Sequence, residues 1–285
     1  NRLNMLETAA KVNRNFVCLK PVGFYPVTLV VTMKKIIIQI YEVQNPEEAE
    51  KLIQIGVDHI GSVILSEADW KIPEIKETVE LIRSSPGRSS LIPLYNSAES
   101  VLNTLDYYQP DMVHFCEALA DWNSHHRLLR LQEEVKKRFP QIQIMRSLPI
   151  APPGMGRLVP TLELAKVFEP ASDYFLTDTL LINDTDSNAA PQPVKGFVGI
   201  TGQTCSWQTA AELVAASNIP VILAGGISPT NVTDGILQIR PAGVDSCTLT
   251  NSLDDQGIPI RFKKDFKKVE DLVAAVRETE KTLGG

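Results

Sequence analysis

Cysteine and histidine are both scarce, with four of each in 285 residues. Cys18, Cys116, Cys205 and Cys247 are scattered and form no CxxC pair. A zinc site and a disulfide framework are therefore both unsupported, and a reducing cytoplasm is the plain expectation. No apolar run approaches the roughly 20 residues of a membrane-spanning helix. Basic charge is in deficit: 28 Lys and Arg against 34 Asp and Glu, a net charge of -6. That argues against nucleic acid or an anionic membrane as the main partner. A small anion stays open, because local backbone donors hold such ligands whatever the global charge. The turn after the first apolar run, "YEVQNP", has no glycine, so the phosphate-binding turn of an open dinucleotide-binding sheet is missing.

The first 32 residues lack order of any familiar kind. "FVCLKPVGFYPVTLVVT" is apolar but broken by Pro21 and Pro26, and it lacks the layout of a secretory signal. Met33 stands just before "KKIIIQI". The expected division is an N-terminal extension, 1–32, not native to the protein, and a single domain, 33–285. The rival reading makes 1–32 a helper segment covering the bottom of the domain.

What is present from Met33 onward is a rhythm. Short β-rich runs alternate with amphipathic segments that carry helix caps. The strands are expected at "KIIIQIYEV", "HIGSVIL", "SSLIPLYN", "MVHFCE", "IQIMRSL", "DYFLTD", "PVILAGG" and "GVDSCTL". A helix follows each, among them one opened by Pro46 and ended by Gly56, one capped by Ser97, one starting at Pro229, and a last one from Phe266. A long polar loop runs from about Leu180 to Gly202. Eight strict alternations imply parallel pairing with right-handed crossovers, and a closed (β/α)8 TIM barrel of the α/β class. Its strands should run from near Ile36 to near Thr248.

In such barrels the chemistry lies at the C-terminal strand ends. The first strand offers Tyr41 and Glu42 there, the fourth His114, Cys116 and Glu117, the fifth Arg146, the sixth Asp178, and the eighth Cys247 and Thr248. The pair His125 and His126 is expected in solvent at a helix start. In "PVILAGGISPTNV", Gly225 and Gly226 let the backbone come close to a ligand, and a helix opening at Pro229 presents free N–H groups. Ser228 to Asn231 would then line an anion site, making the barrel of the phosphate-binding type. A tight turn that simply needs glycine explains the same residues equally well.

"LAGGISPTNV" resembles the seventh-strand segment of the phosphoribosylanthranilate isomerase family. "YFLTDT" is similar to that family's sixth strand, "GITGQTCSW" to the loop after it, with Thr201, Gly202 and Trp207 in register, and "AGVDSCTLTNS" to its eighth strand. "IQIYEVQNPEEAEKLIQIGVDHIGSVI" lies along its first two strands, so that Gly61 falls on the glycine of the IGFVF pattern. The similarity covers Lys34 to the C-terminus. It implies a cofactor-free Amadori rearrangement of a phosphoribosyl amine, an aldose–ketose isomerisation in tryptophan biosynthesis. A general acid protonates the ring oxygen and a general base takes a proton from the sugar carbon. The family's acid falls on Asp178. Its phosphate-binding glycines and strand-8 residues fall on Gly202, Gly225, Gly226, Cys247 and Thr248.

The family's base, a cysteine, falls on Tyr41, and the glycine after it on Glu42. A phenol with an ordinary pKa near 10 is a poor base at neutral pH. Glu42 replaces it only if the alternation of side chains relaxes at the strand end; Tyr41 otherwise plugs the mouth. The fourth strand's glycine is lost, the arginine after the second strand has no counterpart, and Leu249 stands where a glycine would admit phosphate. Three readings follow. The chain is an isomerase of this type, or a catalytically lost or repurposed barrel that binds a phosphorylated metabolite, or an epimerase or lyase of the wider phosphate-binding group. The last lacks the acidic and histidine metal ligands such an enzyme would show. A small phosphorylated sugar is the expected ligand, with no metal, no cofactor, no nucleic acid and no membrane. The chain is expected as a monomer or homodimer.

Overall fold

The computed structural model describes residues 35–182 and 192–284. The first 32 residues and part of the long loop after the sixth strand lie outside them. Eight parallel strands close into one barrel in sequential order. They are β1 (Ile37–Ile40), β2 (His59–Ile64), β3 (Arg88–Pro93), β4 (Met112–Phe115), β5 (Gln143–Ile150), β6 (Tyr174–Thr179), β7 (Val221–Leu223) and β8 (Gly243–Ser246). β8 pairs back onto β1, with Ile37 opposite Gly243 and Ile40 opposite Ser246. A barrel strand faces side chains on one side and helices on the other. Accordingly every residue of β2, β4, β7 and β8 is buried.

The helices form the outer layer: α1 (Pro46–Ile55), α2 (Pro73–Arg83), α3 (Ala98–Tyr108), α4 (Trp122–Arg138), α5 (Thr161–Phe168), α6 (Trp207–Ala216), α7 (Val232–Ile239) and α8 (Phe266–Gly284). Local chemistry sets their ends. Asn45 caps α1 by accepting from the Glu48 N–H, Pro46 opens it, and Gly56 closes it at φ 98°. Ser97 and Ser206 cap α3 and α6 in the same way. Three apolar clusters fill the space between strands and helices, and a fourth fills the barrel itself with Val63, Ile92, Met112, Met145, Leu176 and Ile222. Among the described residues no helix is long and apolar enough to cross a membrane.

The structure corrects several expectations. α7 starts at Val232, not at Pro229. The Asn231 carboxamide holds the intervening turn, accepting from the Ser228 N–H at 2.9 Å and donating to the Gly226 carbonyl at 2.8 Å. β8 stops at Ser246, and Thr248–Thr250 turn as a short 3-10 helix. The chain then forms an antiparallel pair, β9 (Asn251–Leu253) and β10 (Pro259–Lys264), before α8. This hairpin was not anticipated. His125 is buried, not solvated: its Nε2 meets the Leu119 carbonyl at 3.0 Å and its ring packs near Phe168.

Candidate active site

At the C-terminal ends of β6, β7 and β8 a cleft of about 330 Å³ is lined by Gly202, Gly225, Gly226, Cys247, Thr248 and Asp178, among others. Gly225 and Gly226 have φ of 84° and 64°, a left-handed region that glycine enters without steric cost. Space also demands them. A Cβ on Gly226 would lie 2.6 Å from the Gln203 backbone, and one on Gly225 would lie 2.6 Å from the Thr179 Oγ1. The loops after β6 and β7 therefore touch backbone to backbone. Among the described residues the N–H groups of Gly202, Gly225 and Gly226 donate to no protein acceptor. The Thr248 hydroxyl is buried on this cleft without a partner. An anion would satisfy such an arrangement. Ser228 and Asn231 do not line the cleft: the Ser228 N–H is taken by Asn231 and its hydroxyl by Thr230. The Leu249 side chain reaches into the cleft beside Gly202.

Asp178 connects this cleft to a second space of about 490 Å³ over the barrel centre. Its Oδ1 accepts the Thr179 N–H at 2.9 Å. Gly199 lies so close to its Oδ2 that a Cβ there would approach to 2.2 Å. Burial, followed by the charge of Asp245, pushes the Asp178 carboxyl up to about 7. It therefore gains and loses its proton near neutral pH rather than in acid. The segment carrying Gly199 crosses the mouth. It pairs with the end of β4, with Val198 N–H to the Cys116 carbonyl at 2.8 Å and Ala118 N–H to the Gly196 carbonyl at 2.9 Å.

Asp245, which the sequence reading passed over, is the second carboxyl of the mouth and lines both spaces. Its Oδ1 accepts from the Gln39 carboxamide at 3.0 Å, and Gln39 in turn meets His59 Nδ1 at 3.1 Å. Burial raises Asp245 to about 7 against the opposing pull of that hydrogen bond and of Lys264. Strand alternation could have found it. On the expected eighth strand, Cys247 and Asp245 lie two residues apart, so if one faces the barrel interior the other should too.

Tyr41 lies inside the barrel with its ring against Gly61, where a Cβ would collide at 1.9 Å. Its hydroxyl pairs with Ser90 at 2.6 Å and with His114 Nδ1 at 2.9 Å. Burial drives its pKa well above the ordinary phenol value. Glu42 adopts φ 65°, a left-handed conformation that favours glycine. Its carboxylate is buried and clasped by Arg261 of β10, with Nη2 at 2.5 Å and Nε at 2.7 Å. The other strand-end candidates are also committed. His114 is held between Tyr41 and Ser147, and burial, then Arg146, lowers it to about 3. Burial raises the Cys116 and Cys247 thiols well above their ordinary value. Arg146 is fully buried beneath α4, ion-paired with Glu117 and bonded to Gln132 at 2.7 Å. Among the described residues no cluster of three or more His, Cys, Asp or Glu is arranged to hold a metal.

A family profile described as N-(5'-phosphoribosyl)anthranilate isomerase matches residues 156–274. The N-(5'-phosphoribosyl)anthranilate isomerase of Methanothrix thermoacetophila is 26% identical over 245 residues, spanning 85% of this chain and 99% of that protein. The barrel is similar to the phosphoribosyl anthranilate isomerase structure from Thermus thermophilus, with a TM-score of 0.59 at 16% identity, over 85% of this chain and 99% of that one. It is equally similar, by the same measures, to a phosphoribosyl anthranilate isomerase in complex with reduced 1-(o-carboxyphenylamino)-1-deoxyribulose 5-phosphate.

Proposed function

We infer that the chain belongs to the phosphoribosylanthranilate isomerase family, and from this premise we propose that it carries out that family's Amadori rearrangement, turning a phosphoribosyl arylamine into its ketose. The observation that carries the reading is Asp178. A carboxyl raised to about 7 stands at the end of β6, beside a cleft of unspent backbone donors. In the proposed reaction the phosphate sits against Gly202, Gly225, Gly226 and the Thr248 hydroxyl. Asp178 gives its proton to the ring oxygen, the C1–O bond opens, and the amine nitrogen's lone pair forms the iminium. No cofactor takes part. The segment Gly196–Gln203, folded over the mouth, keeps water from the iminium. The cytoplasm is the proposed location, and the described cysteines Cys116, Cys205 and Cys247 are all free thiols, in keeping with it. The oligomeric state is proposed as monomer or homodimer.

A second reading rests on Tyr41. Its ring stands where the family's cysteine base belongs, and both its hydrogen bonds point into the core. In that reading the barrel binds a phosphorylated sugar without turning it over. Two measurements separate the readings: turnover of phosphoribosylanthranilate by the purified chain, and rescue of a tryptophan auxotroph lacking the isomerase. Binding of the reduced ketose analogue without turnover or rescue selects the second reading.

A further inference from the structure

An isomerase needs a base as well as an acid, and the two residues at and beside the family's base position are both tied to other side chains. Tyr41 is locked between Ser90 and His114. Glu42 has its Oε1 clasped by Arg261, while its Oε2 faces the Asn251 carboxamide at 3.5 Å. One carboxyl in the mouth is differently placed. Asp245 engages a single protein donor, Gln39, through Oδ1, and among the described residues no group donates to its Oδ2. Its side chain lines the same two spaces as Asp178. Gln39, held from behind by His59, fixes the carboxylate's orientation. His59 is itself buried and lowered to about 4, so it is neutral at pH 7 and serves as a hydrogen-bond partner only.

We propose that Asp245 is the catalytic base of this chain, taking over the proton abstraction that the family assigns to a cysteine on the first strand. The proposal rests on the isomerase reading above. The proton count closes without any further reactant. Asp178 starts protonated and Asp245 ionised, one proton shared between two carboxyls that face one cleft. Asp178 protonates the ring oxygen and becomes the carboxylate. Asp245 then removes the C2 proton, the C–H electrons form the C1=C2 bond, and the iminium electrons return to nitrogen. The C2 hydroxyl next gives its proton to Asp178 while C1 takes the proton held by Asp245. The ketose forms and both carboxyls regain their starting states. Burial suits both roles, since each group titrates near pH 7.

Three proteins test this on phosphoribosylanthranilate: wild type, Asp245→Asn and Asp178→Asn. An asparagine keeps the Gln39 hydrogen bond, and binding of the reduced ketose analogue reports that the site remains folded. Wild type should show a bell-shaped kcat/KM profile centred near pH 7. Asp245→Asn should lose about 10²–10⁴-fold in kcat, keep analogue affinity within about threefold, and lose the limb that rises with pH. Asp178→Asn should lose the falling limb instead. Asp245→Glu should recover part of the rate. If wild type is active and Asp245→Asn stays within tenfold of it, or keeps the rising limb, the assignment of Asp245 is overturned while the isomerase reading stands. If wild type binds the analogue but turns nothing over, the isomerase reading falls and the base with it.

Discussion

Asp178 and Asp245 place the interests of the site against those of the fold. Each carboxyl is raised to about 7 chiefly by burial. A raised carboxyl is more easily protonated in the folded chain than in the unfolded one. Its contribution to stability is thus complete below the ordinary carboxylate value, declines from there, and is lost above about 7. Asparagine carries no charge to bury. Asp178→Asn and Asp245→Asn should therefore be more stable than wild type at pH 8, by on the order of 1–3 kcal/mol each, and little changed at pH 4. Thermal unfolding at the two pH values reads this directly, at roughly 2–4 °C per kcal/mol for a chain of this size. A mutant losing both turnover and thermal stability at pH 8 contradicts the argument. Glu42 and Arg261 form a lopsided pair, with the carboxylate buried and the guanidinium 37% exposed. Arg261→Ala strands a buried charge, whereas Glu42→Gly frees an arginine to reach water and removes a left-handed strain of roughly 1–2 kcal/mol. The arginine variant should be the less stable of the two in urea titrations.

The loops after β6 and β7 work as one element because their backbones meet at Gly226 and Gln203. Gly226→Ala would press a methyl group onto that backbone and also strain a φ of 64°. The Gln203–Thr204 stretch would have to withdraw, taking with it the peptides that face the anion. Affinity for inorganic phosphate should drop by tenfold or more, and amide exchange should quicken across residues 198–206. Unchanged affinity would show that the cradle lies elsewhere. Helix positions were largely legible in the sequence, because Pro46, Gly56 and Ser97 carry their own capping chemistry. α7 misled because Pro229 is a good first helical residue, yet the Asn231 side chain holds a turn there instead. The β9–β10 hairpin was missed because Phe262 takes φ 60° and the pairing shifts register between Pro259 and Lys264, leaving no clean alternation to detect.

At the scale of the whole molecule, closure of β8 onto β1 makes the mouth a meeting place for residues more than 200 positions apart, such as Gln39 and Asp245. The eightfold alternation announced that closure. Asp178 was singled out by the resemblance on β6. Asp245 was not, since a buried aspartate on a short apolar strand reads as an odd core residue until the barrel is closed around it. The buried network Asp245–Gln39–His59 crosses from β8 through β1 to β2, so it forms only when the sheet is complete. Gln39→Leu should leave Asp245 without its one protein donor and raise its pKa further. The rising limb of the kcat/KM profile should then move to higher pH in that variant, while the falling limb stays near its place.

The seating of Tyr41 on Gly61 binds two strands' substitutions together. Gly61 has no side chain, and that absence gives the ring its room. Once the ring is in place, any side chain at 61 meets it at 1.9 Å, and the glycine can no longer drift. Tyr41→Cys empties core volume, at a cost of roughly 2–4 kcal/mol by comparison with other large-to-small changes. The two positions are thus interlocked, and a change at either one alone disturbs the packing of the other.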